Sequence, residues 1–211
     1  MSTVRQTVEN AAIGIAVLED RDQFTMLRQP GVAAAIWRRQ LPTDFQSWVD
    51  ELPLENLPCA RVTVRTELVR DAVEAICANA GIPNNSKRQL LVDDAVLLAT
   101  EFAALMDTEF LRLRYDVIRD DACRKFHIDA VTARLVCTYR GLGTQYGIST
   151  DGENPKRIFS APTGAPMLLR GTKWPEPPVS GLLHRSPPIE GTDMTRLVFV
   201  IDPIFEHSSE T

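Results

Sequence analysis

The chain has 211 residues, of which 44% are hydrophobic and 24% charged, a composition typical of a folded globular protein rather than a disordered or fibrous one. Its 23 basic and 28 acidic residues give a net charge of -5, and no basic run indicates a nucleic-acid-binding surface, so nucleic acid is not an expected partner. We see neither a signal peptide nor an apolar stretch long enough for a membrane span, and we therefore expect a cytoplasmic protein without a membrane partner.

The first half of the chain shows mainly helical patterns. An apolar run at residues 13–18 predicts one buried strand. Beyond it, apolar residues recur at helical spacing over 66–80 and again over 86–107. Ser86 begins a capping-box pattern, which predicts that its hydroxyl caps the second of these helices. The sequence thus predicts a mainly helical N-terminal region over residues 1–108.

The hydrophobic period changes from that of a helix to that of a strand near residue 109. Leu111, Leu113, Tyr115 and Val117 alternate with charged residues, which predicts a strand with one exposed face. Further short strands are expected at 132–139, 157–160, 167–170, 181–185 and 194–202.

Short strands with little helix between them indicate an antiparallel sandwich or barrel. We therefore predict an α+β fold in which N-terminal helices pack on a C-terminal jelly roll. The jelly-roll, metal-binding region is expected at residues 109–206 and a short tail at 207–211, with the whole chain forming one compact unit.

A candidate metal site lies in the predicted β region. His127 and Asp129 are separated by one residue, so in an extended segment both side chains lie on one face and can contact the same ion. His184 follows at the end of a later predicted strand. Two histidines and one carboxylate hold Fe(II) while leaving coordination positions open for substrates. The residues therefore predict a metal centre of His127, Asp129 and His184.

Two arginines are candidate anion ligands near this centre. Arg196 lies on a predicted strand that is apolar on both faces, so its guanidinium needs an anion to offset the cost of burial. A dicarboxylate co-substrate would serve, and a buried salt bridge to an acidic neighbour such as Asp116 is the alternative. Arg134 lies among apolar residues and either faces the cavity as a second anion contact or forms an ion pair.

These residues resemble a motif set of the iron(II)/2-oxoglutarate-dependent oxygenases, which have a cupin-like double-stranded β-helix, and of their prolyl-hydroxylase-like group in particular. The resemblance implies that the three metal ligands hold Fe(II), that Arg196 binds the distal carboxylate of 2-oxoglutarate and that Tyr115 gives it a second hydrogen bond. The substrate, a small molecule or a peptide, stays open. The motifs are Tyr115, His127-x-Asp129, His184-Arg185-Ser186-Pro187-Pro188, Gly191 and Arg196-Leu197.

A second resemblance is closer and covers more of the chain. The segments 123–129 and 134–144 are similar to a bacterial family described as domain of unknown function 1826. That similarity implies a link to metal homeostasis and no particular activity. The family pattern Gly-Pro-Gly-Thr-Glu-Trp is Gly-Leu-Gly-Thr-Gln-Tyr at 141–146 of this chain, so no role is assigned to that Glu or Trp.

Cys123 supports an alternative function. It precedes His127 by four residues and would share its face in an extended chain, and a soft thiolate beside two imidazoles favours zinc. The alternative is a zinc-binding protein without catalysis, in which Cys123 completes a closed site with the three predicted ligands. A third possibility keeps the fold but uses the metal without oxygen, as cupin-like isomerases do. An Fe(II)/2-oxoglutarate-dependent dioxygenase is the leading prediction, with the substrate and oligomeric state undetermined.

Overall fold

A computed structural model of the chain describes residues 10–121 and 123–205, so the predicted tail at 207–211 lies outside the described residues. The helices are α1 (Thr43–Glu51), α2 (Val69–Asn79) and α3 (Ser86–Met106), with short 3-10 helices at Arg21–Arg28, Leu54–Asn56 and Thr66–Leu68. The strands are β1 (Gly14–Leu18), β2 (Val32–Trp37), β3 (Ala60–Arg65), β4 (Phe110–Ile118), β5 (Ala133–Arg140), β6 (Gln145–Ile148), β7 (Phe159–Ser160), β8 (Met167–Arg170), β9 (Leu182–Arg185) and β10 (Arg196–Ile204).

Seven strands form a large sheet in the order β1-β2-β8-β5-β10-β4-β3. The β1–β2 pair is parallel and all other neighbouring pairs are antiparallel. Three of these strands, β1, β2 and β3, come from the N-terminal region that the sequence predicted as mainly helical. The sheet therefore extends across position 108, where the sequence analysis divided the chain.

A second sheet has three strands in the order β7-β6-β9 and lies on the opposite face of the large sheet from the helices. Alternate side chains of β10 lie in different hydrophobic cores, one on each face of the large sheet. Leu197, Phe199 and Ile201 belong to the core that contains the helices, whereas Val198 and Val200 belong to the core between the sheets. The molecule is thus a mixed α+β fold with three layers, which confirms the predicted fold class in its broad form.

Helix α3 begins at a side-chain cap and is held to the large sheet at its middle. The side-chain oxygen of Asn85 accepts hydrogen bonds from the backbone N–H groups of Lys87 and Arg88, so Asn85 is the N-cap and the prediction of Ser86 is wrong by one residue. Further along, Asp94 pairs with Arg39 at 2.5 and 2.7 Å and accepts the Tyr139 hydroxyl of β5 at 2.5 Å. These polar contacts position the helical layer on the sheet.

Among the described residues, none of the helices has the length and apolar character needed to cross a membrane.

Candidate metal centre

The backbone brings His127 and His184 directly opposite each other. His127 N donates to His184 O at 3.0 Å and His184 N donates to His127 O at 2.9 Å, forming an isolated antiparallel bridge beside β9. The segment that follows His127 packs closely against the backbone of Gly171. A Cβ atom at position 171 would lie 1.9 Å from the carbonyl oxygen of Val131. Only glycine permits that approach. The chain therefore places Asp129, two residues after His127, beside both imidazoles.

The three predicted metal ligands form one cluster. One ligand atom from each of His127, Asp129 and His184 lies within 4.8 Å of the other two. The Nε2 of His127 is 3.5 Å from Asp129 Oδ1, and the Nε2 of His184 is 3.0 Å from Asp129 Oδ2. The imidazole rings are 4.5 Å apart between centroids. Such a set can bind one ion on a single face and leave the other face open.

Hydrogen bonding fixes how His127 is presented. Its Nδ1 lies 2.8 Å from the carbonyl oxygen of Lys125, so Nδ1 acts as the donor and Nε2 faces the cluster, where the Asp129 carboxylate raises the pKa of the imidazole. His184 is buried, and burial lowers its pKa, which favours the neutral imidazole that a metal requires. Both histidines are thus arranged as metal ligands by contacts outside the cluster.

Asp129 has the charge and the free oxygen that a metal ligand needs. Burial by itself would raise the pKa of Asp129, but the neighbouring imidazoles and the Arg134 guanidinium hold that pKa well below its usual range. The carboxylate is therefore ionised. Its Oδ2 is buried and accepts no hydrogen bond of normal geometry, although His184 Nε2 is 3.0 Å away. A cation between these atoms would satisfy that oxygen, so the residues fit a metal.

Arg134 forms ion pairs beside the metal ligands. Its guanidinium donates to Asp129 Oδ1 at 2.5 Å and to both carboxylate oxygens of Asp202 at 2.6 and 2.8 Å. The sequence left open a cavity contact or an ion pair, and the structure shows the ion pair, although Arg134 also lines the cavity. The predicted role of Arg134 as a co-substrate ligand is therefore corrected to one of orienting the Asp129 carboxylate.

Cys123 does not join the cluster. Among the described residues, the group of candidate ligand atoms within 4.8 Å of one another contains no thiol. The reason is local: the sequence analysis assumed an extended chain, whereas Cys123 lies in a turn with φ of 55°. Its side chain is exposed and lines the same cavity. The closed four-ligand site that the zinc alternative requires is therefore absent from the described part of the chain.

Arg196 is buried at the end of the cavity. It is 1% exposed, and its guanidinium donates to the Leu142 carbonyl at 2.6 Å, to Ser186 Oγ at 2.9 Å and to Thr138 Oγ1 at 3.4 Å. No carboxylate of the described residues pairs with it, and Asp116, the partner that the alternative named, pairs with Arg114 at 2.7 Å. Burial lowers the pKa of Arg196 to about 10. The side chain has the environment expected of a group that binds an anionic ligand.

Tyr115 is not a cavity residue. It is 1% exposed and belongs to the core under the helices, where its ring stacks on Phe199 at 4.5 Å. Its neighbours Arg114 and Asp116 line the cavity on the other face of β4. The predicted hydrogen bond from Tyr115 to the co-substrate is therefore wrong, because alternate residues of a strand face opposite sides.

One cavity of about 560 Å³ contains the candidate centre. It is lined by His127 and His184, by Arg134 and Arg196, and by apolar side chains of β10. This volume is sufficient for a small organic molecule.

Comparison with known proteins places this geometry in context. A family profile described as protein of unknown function (DUF1826) matches residues 19–202. The chain belongs to this family. No curated protein matches the sequence.

Two solved structures of dioxygenases are similar to this DUF1826 protein. Dioxygenase for auxin oxidation 1 from Arabidopsis thaliana, in complex with 2-oxoglutarate, has a TM-score of 0.59 at 11% identity, over 94% of this chain and 95% of the other. The dioxygenase for auxin oxidation in rice has a TM-score of 0.53 at 12% identity, over 91% and 83%. At such identities the similarity establishes the fold, a jelly roll, and nothing about the substrate.

The sequence did not identify two polar residues, Asp202 and Ser186, that accept hydrogen bonds from the arginines of this site. Asp202 lies on the same face of β10 as Arg196, since the odd-numbered residues of that strand face the core that contains the helices and the even-numbered ones face the other layer, and this period was a usable signal. Ser186 was noted only as part of a motif, yet its hydroxyl accepts a hydrogen bond from Arg196.

Proposed function

We propose that this protein is an iron(II)- and 2-oxoglutarate-dependent oxygenase that acts on a small organic molecule or a peptide. The observation that carries the proposal is Arg196, a buried guanidinium without a carboxylate partner in the described residues. It lines the same cavity as His127 and His184 of the three-ligand cluster. A metal site alone would not require such an arginine, whereas a dicarboxylate co-substrate bound near the metal would.

The residues that would hold iron are His127, Asp129 and His184. When bound there together with 2-oxoglutarate, iron supplies the activation of dioxygen that permits oxidation of an unreactive C–H bond. Burial favours the neutral form of His184 and Asp129 is ionised, whereas the Asp129 carboxylate raises the pKa of His127, so a metal bound there would have to displace the proton from His127 Nε2. Arg134 keeps the Asp129 carboxylate oriented by pairing with its Oδ1 and leaving Oδ2 free.

The co-substrate carboxylate would be bound by Arg196. Its Nη1 donates to Ser186 and its Nε to the Leu142 carbonyl, so the guanidinium plane is fixed before a ligand arrives. An arginine whose geometry is fixed in this way forms two parallel hydrogen bonds with a carboxylate at a small entropic cost. The apolar surroundings exclude water and strengthen that pairing.

The two alternative functions, a closed zinc site and metal chemistry without oxygen, require different sets of residues. A closed zinc site needs a fourth ligand, and the exposed Cys123 lies outside the cluster of ligand atoms. Metal chemistry without oxygen, as in an isomerase, requires the three ligands but no oxidation of 2-oxoglutarate. No observation in the structure favours either one over the oxygenase.

The proposal is tested by anaerobic titration of the protein with Fe(II) and 2-oxoglutarate. We expect the visible absorption band that arises when a 2-oxo acid chelates Fe(II), and succinate formation once oxygen is admitted. Arg196→Ala should abolish 2-oxoglutarate binding and spare the metal, whereas the matched control Arg140→Ala, whose side chain donates to the Leu52 carbonyl outside the cavity, should change neither.

Variants of the metal ligands complete the test. His127→Ala and His184→Ala should each lower the iron content measured by elemental analysis. A wild-type protein that gives no absorption band, or an Arg196→Ala variant that binds 2-oxoglutarate with unchanged affinity, would contradict the proposed function. An absorption band without succinate would favour the oxygen-independent alternative.

A further inference from the structure

Two arginines lie directly opposite each other on the cavity side of the large sheet. Arg61 of β3 and Arg114 of β4 are paired residues in the antiparallel register, and both line the cavity. Like charges in opposed positions destabilise a sheet by mutual repulsion. Arg61 is exposed, so solvent screens part of this repulsion, and packing does not explain why the two charges are opposed.

This pair of arginines has only one acidic partner. Arg114 Nε lies 2.7 Å from Asp116 Oδ2, and among the described residues Arg61 forms no ion pair. Among the described residues, only Arg114 of this pair has a carboxylate partner, so Arg61 presents an unpaired guanidinium to the cavity. A bound monoanion would neutralise that charge and remove the repulsion.

Two other arginines of the cavity have partners of their own. Arg134 pairs with Asp129 and Asp202, and Arg185 donates to Gln145 and lies over the Phe126 ring at 4.4 Å. Arg119 and Arg196 also line the cavity and form no ion pair among the described residues, but of these arginines only Arg61 and Arg114 are direct neighbours across two strands.

The surface next to this pair is apolar. Val200 of β10 is paired with Arg114, and Val198 is paired with Asp116; both valines line the cavity. Along β10, Arg196 and Val200 are four residues apart, which corresponds to about 13 Å in a strand. The cavity thus has two separate anion positions with an apolar surface between them.

We propose that the substrate is a small organic monoanion whose carboxylate binds between Arg61 and Arg114 and whose apolar part lies on Val198 and Val200. Its role as the substrate rests on the proposed oxygenase function, whereas its binding does not. Arginine suits a carboxylate because the planar guanidinium donates two parallel hydrogen bonds to it. Arg196 stays available for the co-substrate at the other end of the cavity.

The test measures binding to the protein without added metal or 2-oxoglutarate, with 3-phenylpropionate as the probe and 3-phenylpropionamide as its uncharged match. Ligand-observed NMR and calorimetry should show that wild-type protein binds the acid at least about tenfold more tightly than the amide, as expected for charge-assisted hydrogen bonds. Arg61→Gln should remove this preference and leave amide binding unchanged.

Arg65→Gln is the matched control, because Arg65 lies on the same strand, is exposed, pairs with Glu109 and does not line the cavity. It should bind both probes as the wild type does. Arg61 is exposed on the edge strand β3, so its replacement should leave the fold intact and remove a repulsion. A melting temperature equal to or above that of the wild type would verify this.

Binding of the acid to the Arg196→Ala variant distinguishes the position between Arg61 and Arg114 from the position at Arg196. If this variant loses the acid while Arg61→Gln retains it, the acid binds in the co-substrate position and the inference is overturned. Equal binding of acid and amide, or no binding of either, overturns it as well. A failed 2-oxoglutarate titration would contradict the oxygenase function alone, since the probe measurement uses neither iron nor the co-substrate.

Discussion

Neighbouring residues of β4 have side chains in different layers, and this determines which of them can act in the cavity. Tyr115 lies under the helices with Leu111 and Leu113, whereas Arg114 lines the cavity. The hydroxyl of Tyr115 is buried and has no hydrogen-bond partner in the described residues. Burial accordingly raises the pKa of Tyr115 well above its usual range. The tyrosine therefore contributes its ring to the core and nothing polar to the site.

The first prediction concerns Tyr115→Phe. Removing an unsatisfied buried hydroxyl should leave the free energy of unfolding unchanged or increase it by up to about 1 kcal/mol, because no hydrogen bond is lost. Urea denaturation measures this change. A loss of stability would mean that the hydroxyl is hydrogen-bonded, and weaker 2-oxoglutarate binding would mean that it contacts the co-substrate after all.

Arg134 gives the second prediction at this scale. Its planar guanidinium contacts Asp129 and Asp202 at the same time, and a lysine keeps the charge but cannot reproduce both contacts. We expect Arg134→Lys to weaken Fe(II) binding by about 10- to 100-fold, the range found when partners of metal ligands are changed. Arg140→Lys on the same strand is the control. Unchanged metal affinity in Arg134→Lys would show that Asp129 is oriented without it.

At the scale of elements, α3 depends on a cap that the sequence placed one residue too late. The Asn85 side chain accepts from two backbone N–H groups of the first turn, and Ser86 is already helical. The third prediction is that Asn85→Ala lowers the free energy of unfolding by about 1 kcal/mol, whereas Ser86→Ala changes it much less. Chemical denaturation of both variants checks this. The opposite order would make Ser86 the cap.

The strands that the sequence missed show what local patterns cannot reveal. Residues 32–37 of β2 include three alanines and lie between β1 and β8 with Ala33, Ala34 and Ala35 fully buried, so no alternation of polar and apolar residues marks the strand. In β3, Val62 and Val64 do alternate with polar residues, and that signal was available but not used. By contrast, β8 was predicted with its observed bounds, 167–170.

The candidate site was predictable to the extent that its chemistry depends on residue type. Two histidines and an aspartate are rare enough in this chain to be recognised as a ligand set, and the structure brings them together. Spacing alone could not exclude Cys123, because its turn conformation depends on contacts between distant segments such as the hydrogen bond from Ser186 N to Cys123 O. The Arg61–Arg114 pair also depends on strand register, which a single sequence does not encode directly.

At the scale of the whole molecule, the N-terminal and C-terminal regions share one sheet and one core. The strands β1 and β2 flank β8 at one edge, and β3 flanks β4 at the other. Cys77 of α2 and Cys137 of β5 belong to the same hydrophobic cluster. Separation of the chain near residue 108 would expose both edges of the sheet and the underside of the helices, so we expect unfolding to be a single cooperative transition.

The four free cysteines make this expectation measurable. Cys59 and Cys123 are exposed, whereas Cys77 and Cys137 are fully buried, and burial raises their thiol pKa values to about 11 and about 12. The thiolate is the reactive form, so a raised pKa and lack of access both slow reaction with a disulfide reagent at neutral pH. The fourth prediction is that two thiols react rapidly in the native protein and two react only when it unfolds.

A variant in which Cys59 and Cys123 are replaced by serine isolates the buried pair. In increasing urea, Cys77 and Cys137 should become reactive at the same denaturant concentration, and that concentration should coincide with the loss of circular dichroism, because a single cooperative unit exposes both sites together. Mass spectrometry identifies which thiol is labelled. If Cys77 reacts at clearly lower urea than Cys137, the N-terminal helices unfold separately, and the shared sheet does not couple the two halves of the chain.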